Sequence, residues 1–162
     1  GDAVLAELYD KLGVQTTFLE NTIVLEKEVE SKPRRVSFDL ANCPDIAQTI
    51  AVTCFGLGVA CDLTGLHTLK IKETDRLEAL KNELTKLGAT ITVTDKSLHL
   101  KEGGTCNENI TIKTYQDHRM AMAFAPLALK VPIIFEDAEV VNKSYPDFWA
   151  DFRGLGFKTE QL

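Results

Sequence analysis

The sequence is sparing in the features that mark many specialised chains. Its four cysteines, Cys43, Cys54, Cys61 and Cys106, show no C-x-x-C spacing and have no pair of histidines nearby. Neither a zinc site nor a disulfide framework is indicated, and buried, reduced thiols are expected. No apolar run approaches the roughly eighteen residues of a membrane span, and no signal-peptide pattern opens the chain, so a cytoplasmic setting without membrane contact is the expectation. A basic excess is missing as well. The formal net charge is −6 and the lysines and arginines are scattered, which argues against nucleic-acid binding and leaves small anions as ligands of local clusters. Gly103-Gly104 is not followed by Gly-Lys-Ser/Thr and reads as a turn rather than a phosphate loop. What is present, 162 residues of which 44% are hydrophobic and 26% charged, is the composition of one globular domain with a real core.

The most informative stretch is Lys70-Ile71-Lys72-Glu73-Thr74-Asp75-Arg76-Leu77. It sets five ionisable groups at the mouth of a helix whose Leu77, Leu80, Leu84 and Leu87 fall at helical spacing and which Gly88 stops. Unpaired N–H groups at a helix start carry partial positive charge. With Lys72 and Arg76 added, that end suits a phosphate or carboxylate, and Glu73 is an acid placed to handle a proton.

Self-similarity organises the rest. A helix ends at Leu12-Gly13, a hairpin follows at 14–18 and 22–25, a strand at 36–40, a second helix from about Asp45 to Leu57, and an apolar strand at 60–66. The same order then recurs: a helix ending at Leu87-Gly88, strands at 90–93, 98–100 and 110–112, a helix from about Asp117 to Leu129, and a strand at 132–136. The two Leu-Gly stops lie 75 positions apart and Asp45 and Asp117 lie 72 apart. A third charged start, Asn142-Lys143-Ser144-Tyr145-Pro146-Asp147, leads into a last helix closed by Leu155-Gly156. The predicted fold is α/β (α+β), with repeat units at about 1–66 and 67–137 and a final strand and helix at 138–162. Stacked copies would gather equivalent helix starts, and with them Asp45, Lys72, Glu73, Arg76, His118, Arg119 and Lys143. The chain opens abruptly at Gly1 with Asp2 already placed to cap a helix through Leu5, Leu8 and Leu12, as expected of a piece of something longer.

Single residues admit plainer readings. Asp45 with Gln48 three positions on reads first as a capping box, and Asp75 with Glu78, and Asp117, read as caps. Lys72, Glu73 and Arg76 alone could be the solvated start of a surface helix; the recurrence of cations at three helix starts favours function. Arg119 precedes the apolar Met120-Ala121-Met122-Ala123-Phe124 and needs an anion partner, from the protein or from a ligand. His118 reads as a hydrogen-bonding spacer, since no second ligand lies at metal spacing. Met120, Met122, Phe124, Phe148, Trp149 and Phe152 read as core.

Leu69-Lys70-Ile71-Lys72-Glu73-Thr74-Asp75-Arg76-Leu77 and Tyr115-Gln116-Asp117-His118-Arg119-Met120-Ala121-Met122 closely resemble the two signature segments of the 3-phosphoshikimate 1-carboxyvinyltransferases, the EPSP synthases of aromatic amino-acid biosynthesis. The likeness extends through Pro44-Asp45 and Lys143-Ser144-Tyr145-Pro146-Asp147. It implies a chain built of βαβαββ-type units, part of an inside-out α/β barrel, here a partial C-terminal domain whose partner domain completes the site. It also implies transfer of the enolpyruvyl group of phosphoenolpyruvate to the 5-hydroxyl of shikimate 3-phosphate, without metal or organic cofactor. Asp45 matches the assigned base and a shikimate contact, and Glu73 the acid that moves the methylene proton. Lys72 matches a shikimate-phosphate ligand; Arg76, Arg119 and Lys143 match ligands of phosphoenolpyruvate. Thr68 stands where some relatives have a shikimate-binding Asn. The family's N-terminal Lys-Ser and Ser-Ser-Gln segments and a further Arg have no counterpart. The isolated chain is therefore expected to be inactive, and an exposed sheet edge or helix face from the missing unit is expected to favour self-association. The rival readings are a UDP-N-acetylglucosamine enolpyruvyl transferase, which shares fold and co-substrate, and a non-catalytic anion-binding repeat module.

Overall fold

The computed structural model describes residues 2–28, 33–72 and 74–161, without the side chain of Asp2. The expected roles of Glu73 and of the Asp2 side chain thus lie outside the described residues. Helix α1 (Leu5–Asp10) leads into the antiparallel hairpin β1 (Val14–Phe18) and β2 (Ile23–Lys27). Strand β3 (Arg35–Asp39), a 3-10 turn at Pro44–Ile46, helix α2 (Ala47–Leu57) and strand β4 (Ala60–Thr64) complete the first unit. The second has a 3-10 turn at His67–Ile71, helix α3 (Arg76–Lys86), strands β5 (Ile91–Val93), β6 (Leu98–Leu100) and β7 (Ile110–Lys113), helix α4 (His118–Phe124) continued by a 3-10 turn at Ala125–Leu129, and strand β8 (Ile133–Glu136). A 3-10 turn at Ala138–Lys143 and helix α5 (Phe148–Gly154) follow. The predicted order of elements is present through β8, with strand ends shifted by a residue or two, but the final strand expected within 138–162 is not found among the described residues: left-handed Asp137 turns the chain out of β8 and into the 3-10 turn at Ala138–Lys143.

Strands β3 and β4 pair in parallel, and β4 then takes β6 and β5 antiparallel, giving a sheet of order β3-β4-β6-β5. The hairpin of the second unit thus completes the strand pair of the first. Val36, Phe38, Cys61, Leu63, Ile91, Leu98 and Leu100 alternate to the buried face, while Asp62 on the opposite face binds Arg35 and His99. Helix α2 buries Ala47, Gln48, Ile50, Ala51, Val52, Cys54 and Phe55, and α4 buries Met120, Ala121 and Phe124. Helices apolar over so much of their girth belong inside, with the sheets outside them. Cys54 and Cys61 are buried thiols as expected, whereas Cys43 and Cys106 are only half-buried; all four are unpaired.

The first hairpin has no such completion. β1 and β2 form a two-stranded sheet, and β7 and β8 form a parallel pair that receives no hairpin among the described residues. Shifted by 75 positions, the pairs Thr16↔Leu25 and Phe18↔Ile23 coincide with Ile91↔Leu100 and Val93↔Leu98. Leu98 and Leu100 are 0% and 2% exposed; Ile23 and Leu25 are 59% and 66% exposed.

Candidate active site

The starts of α2, α3 and α4 meet at one corner, joined by charged side chains. The expectation that Asp45 caps its helix fails: the turn at Pro44–Ile46 and α2 have no side-chain cap. Cations claim the carboxylate instead, Lys72 Nζ at 3.2 Å and Arg76 Nη1 at 2.8 Å. The Asp45 carbonyl accepts from Arg119 Nη1 at 3.4 Å. Burial pushes the Asp45 carboxyl up, but Lys72, with Arg76 and Arg119, outweighs it and holds the group below the usual carboxylate range.

Arg76 is not the open cation its helix-start position suggests. It is 2% exposed, and its Nε donates to Asp117 Oδ2 at 2.6 Å while Nη1 holds Asp45. Asp75 caps α3 as expected, accepting from the N–H groups of Leu77 and Glu78. Asp117 also caps, accepting the Arg119 N–H at 2.9 Å through Oδ1. Its second role went unread in the sequence: it is wholly buried, and Gln48 Nε2 reaches its Oδ2 at 3.3 Å. The usable signal was its equivalence to Asp45 at the 72-residue offset.

The approach to α4 is strained. Tyr115 and Gln116 both take left-handed φ values, 55° and 58°, unusual for side-chain-bearing residues. Each is pinned: the Tyr115 hydroxyl donates to Glu83 Oε1 at 2.8 Å, and Gln116 Nε2 donates to Asp137 Oδ2 at 3.0 Å. Glu83 is fully buried and also receives Lys86 Nζ and the Lys113 N–H. It falls within the leucine stripe of α3, a charge at an apolar position that could have flagged it. Lys143 joins the same turn, its Nζ on the Gln116 carbonyl at 3.2 Å.

Asp45, Lys72, Arg76 and Arg119 are therefore linked directly, and Lys143 sits beside them through Gln116. Lys70 turns away to Asp95. Thr68 does not present its hydroxyl: Oγ1 is shielded from solvent and makes no hydrogen bond. Among the described residues no group of His, Cys, Asp or Glu is arranged to hold a metal, and no helix is long and apolar enough to cross a membrane. A hollow of about 170 Å³ lies away from this corner, on the outer face of the sheet beside Arg35, Asp62 and His99. Among the described residues, the corner itself can hold anions with several cations and offers the partly exposed carboxylate of Asp45 in contact with them.

Residues 1–152 match the family model described as EPSP synthase (3-phosphoshikimate 1-carboxyvinyltransferase). The chain belongs to the EPSP synthase family. A 3-phosphoshikimate 1-carboxyvinyltransferase from Bacteroides fragilis is 46% identical over 160 residues, covering 97% of this chain and 39% of the relative. EPSP synthase from Acinetobacter baumannii superposes with a TM-score of 0.75 at 20% identity, over 88% of this chain and 36% of that one. The enolpyruvyl transferase NikO from Streptomyces tendae gives 0.66 at 20% identity, over 95% and 35%. Both structures establish the enolpyruvyl transferase fold. The chain thus spans well under half the length of these EPSP synthase and enolpyruvyl transferase relatives.

Proposed function

We propose that this chain is the C-terminal part of a two-domain 3-phosphoshikimate 1-carboxyvinyltransferase, moving the enolpyruvyl group of phosphoenolpyruvate to the 5-hydroxyl of shikimate 3-phosphate. The observation that carries the reading is the meeting of Asp45, Lys72, Arg76 and Arg119, drawn from both repeat units, in a member of this family. Phosphoenolpyruvate brings a carboxylate and a phosphate, which suits Arg76, Arg119 and Lys143. Lys72 would hold the shikimate phosphate. Asp45 would take the proton of the attacking hydroxyl, and Glu73 would deliver and later remove the proton at the enolpyruvyl methylene. Without substrate, the cations hold Asp45 as a weak base; anions that draw Lys72 and Arg76 toward themselves would raise its basicity. No cofactor enters this reading, and it carries the cytoplasmic setting with it.

The test is transfer by the two-domain protein, followed by inorganic phosphate release. Glu73→Gln is expected to lower kcat by on the order of 10²–10⁴. The isolated 162-residue chain should show no turnover, because a partner domain supplies the remaining ligands. Full activity of the Gln variant would remove Glu73 from the proton-handling role, and absence of transfer by the wild-type two-domain protein would favour an anion-binding module over an enzyme.

A further inference from the structure

We infer that Asp117, backed by Gln48, is a positioning residue that sets both arginines of the phosphoenolpyruvate site; this rests on the function proposed above. A guanidinium is a rigid plane, so fixing Nε and one terminal nitrogen fixes where the whole fork faces. Asp117 Oδ2 takes Arg76 Nε at 2.6 Å and Asp45 Oδ1 takes Nη1 at 2.8 Å. The two carboxylates differ in what they can afterwards do. Asp45 is partly exposed and assigned to proton transfer, so its charge and contacts change during the reaction. Asp117 is 0% exposed and held on both oxygens, which leaves it as the constant counter-charge of a buried arginine.

The other oxygen of Asp117 governs Arg119. Oδ1 caps α4 at the Arg119 N–H, and the left-handed turn at Tyr115 and Gln116 delivers Asp117 to that position. One carboxylate thus spaces two cations that rise from different helices, Arg76 by its side chain and Arg119 by its backbone. Gln48 adds a third anchor from α2.

The variants are Asp117→Asn and Gln48→Met in the two-domain protein, with KM for each substrate, kcat and Tm measured together. Asn still caps a helix, so D117N removes the charge while keeping the cap. KM for phosphoenolpyruvate is expected to rise roughly 10- to 100-fold, as for loss of a charged hydrogen bond, with KM for shikimate 3-phosphate within about threefold. Q48M, similar in size, should shift the same constant by a smaller factor. A purely structural role would lower Tm and active fraction and leave the phosphoenolpyruvate KM within about twofold, which overturns the inference. If D117N does not fold, Q48M decides: an unchanged phosphoenolpyruvate KM overturns it. Absence of transfer by the wild-type protein overturns the function and this inference together, whereas wild-type turnover with an unmoved KM in the variants overturns this inference alone.

Discussion

The two repeat units use equivalent residues for opposite ends. Asp45 and Asp117 stand 72 positions apart at the start of equivalent helices and share Arg76, yet their side chains are 36% and 0% exposed. The lead-ins differ. Before Asp45 the chain runs through Cys43 and Pro44, with Cys43 at φ −150°; before Asp117 it runs through the left-handed Tyr115 and Gln116, pinned by Glu83 and Asp137. The hairpins diverge in the same sense: identical cross-strand pairing, covered in the second unit and bare in the first. Duplication supplies the frame, and what each copy meets in space decides whether an aspartate braces the structure or stays available for chemistry.

The largest effect expected from breaking this comparison is on stability at the aspartates. Asp117→Ala strips a buried arginine of a counter-charge and removes a helix cap, at a cost on the order of 3–5 kcal/mol. Asp45→Ala removes a partly exposed partner and should cost no more than about 1 kcal/mol. Urea unfolding of the two variants measures both. Equal losses would mean that the equivalence holds energetically and that burial does not separate the pair.

Next come the hairpins. Leu98→Ala empties a fully buried site and should cost about 2–5 kcal/mol, while Ile23→Ala, at the matching exposed position, should change stability by less than about 0.5 kcal/mol. The bare face, with Phe18, Ile23 and Leu25 exposed, is also expected to drive self-association of the isolated chain. Light scattering over a concentration series should show a mass above the monomer that Ile23→Lys with Leu25→Lys lowers. A strictly monomeric wild-type profile at high concentration would remove the bare hairpin as a sticky surface.

How far the sequence made this visible follows from the range of the forces involved. Helix stops at Leu87-Gly88, the leucine stripe of α3 and the alternating strands are local patterns, and the element order followed from them. The charged corner was located because its members sit at helix starts. Their pairing was not, since Arg76 reaches across 31 residues to Asp45 and 41 to Asp117. A capping box is the local optimum for Asp45 and Gln48, and it lost to ion pairs that only the folded chain brings within reach. Thr68 shows the same limit: position in the motif said nothing of which way its hydroxyl would turn.

The smallest expected effect sharpens the contrast between lead-ins. Burial and the hydrogen bond to ionised Glu83 push the Tyr115 phenol up to about 12, since both favour the neutral, donating form. A phenol whose pKa is raised on folding keeps its proton longer in the native state than in the unfolded one. Its contribution is therefore complete below the unfolded value near 10 and is lost as pH rises from there toward 12. Tyr115→Phe should cost about 1–2 kcal/mol at neutral pH, with Glu83 still held by Lys86 and the Lys113 N–H. The difference between wild type and variant should shrink when unfolding is followed between pH 9 and 11. If the Phe variant kept the same slope as wild type, the pin on the left-handed turn would not be the Tyr115–Glu83 bond, and the burial of Asp117 would have to rest on Gln116 and Asp137 alone.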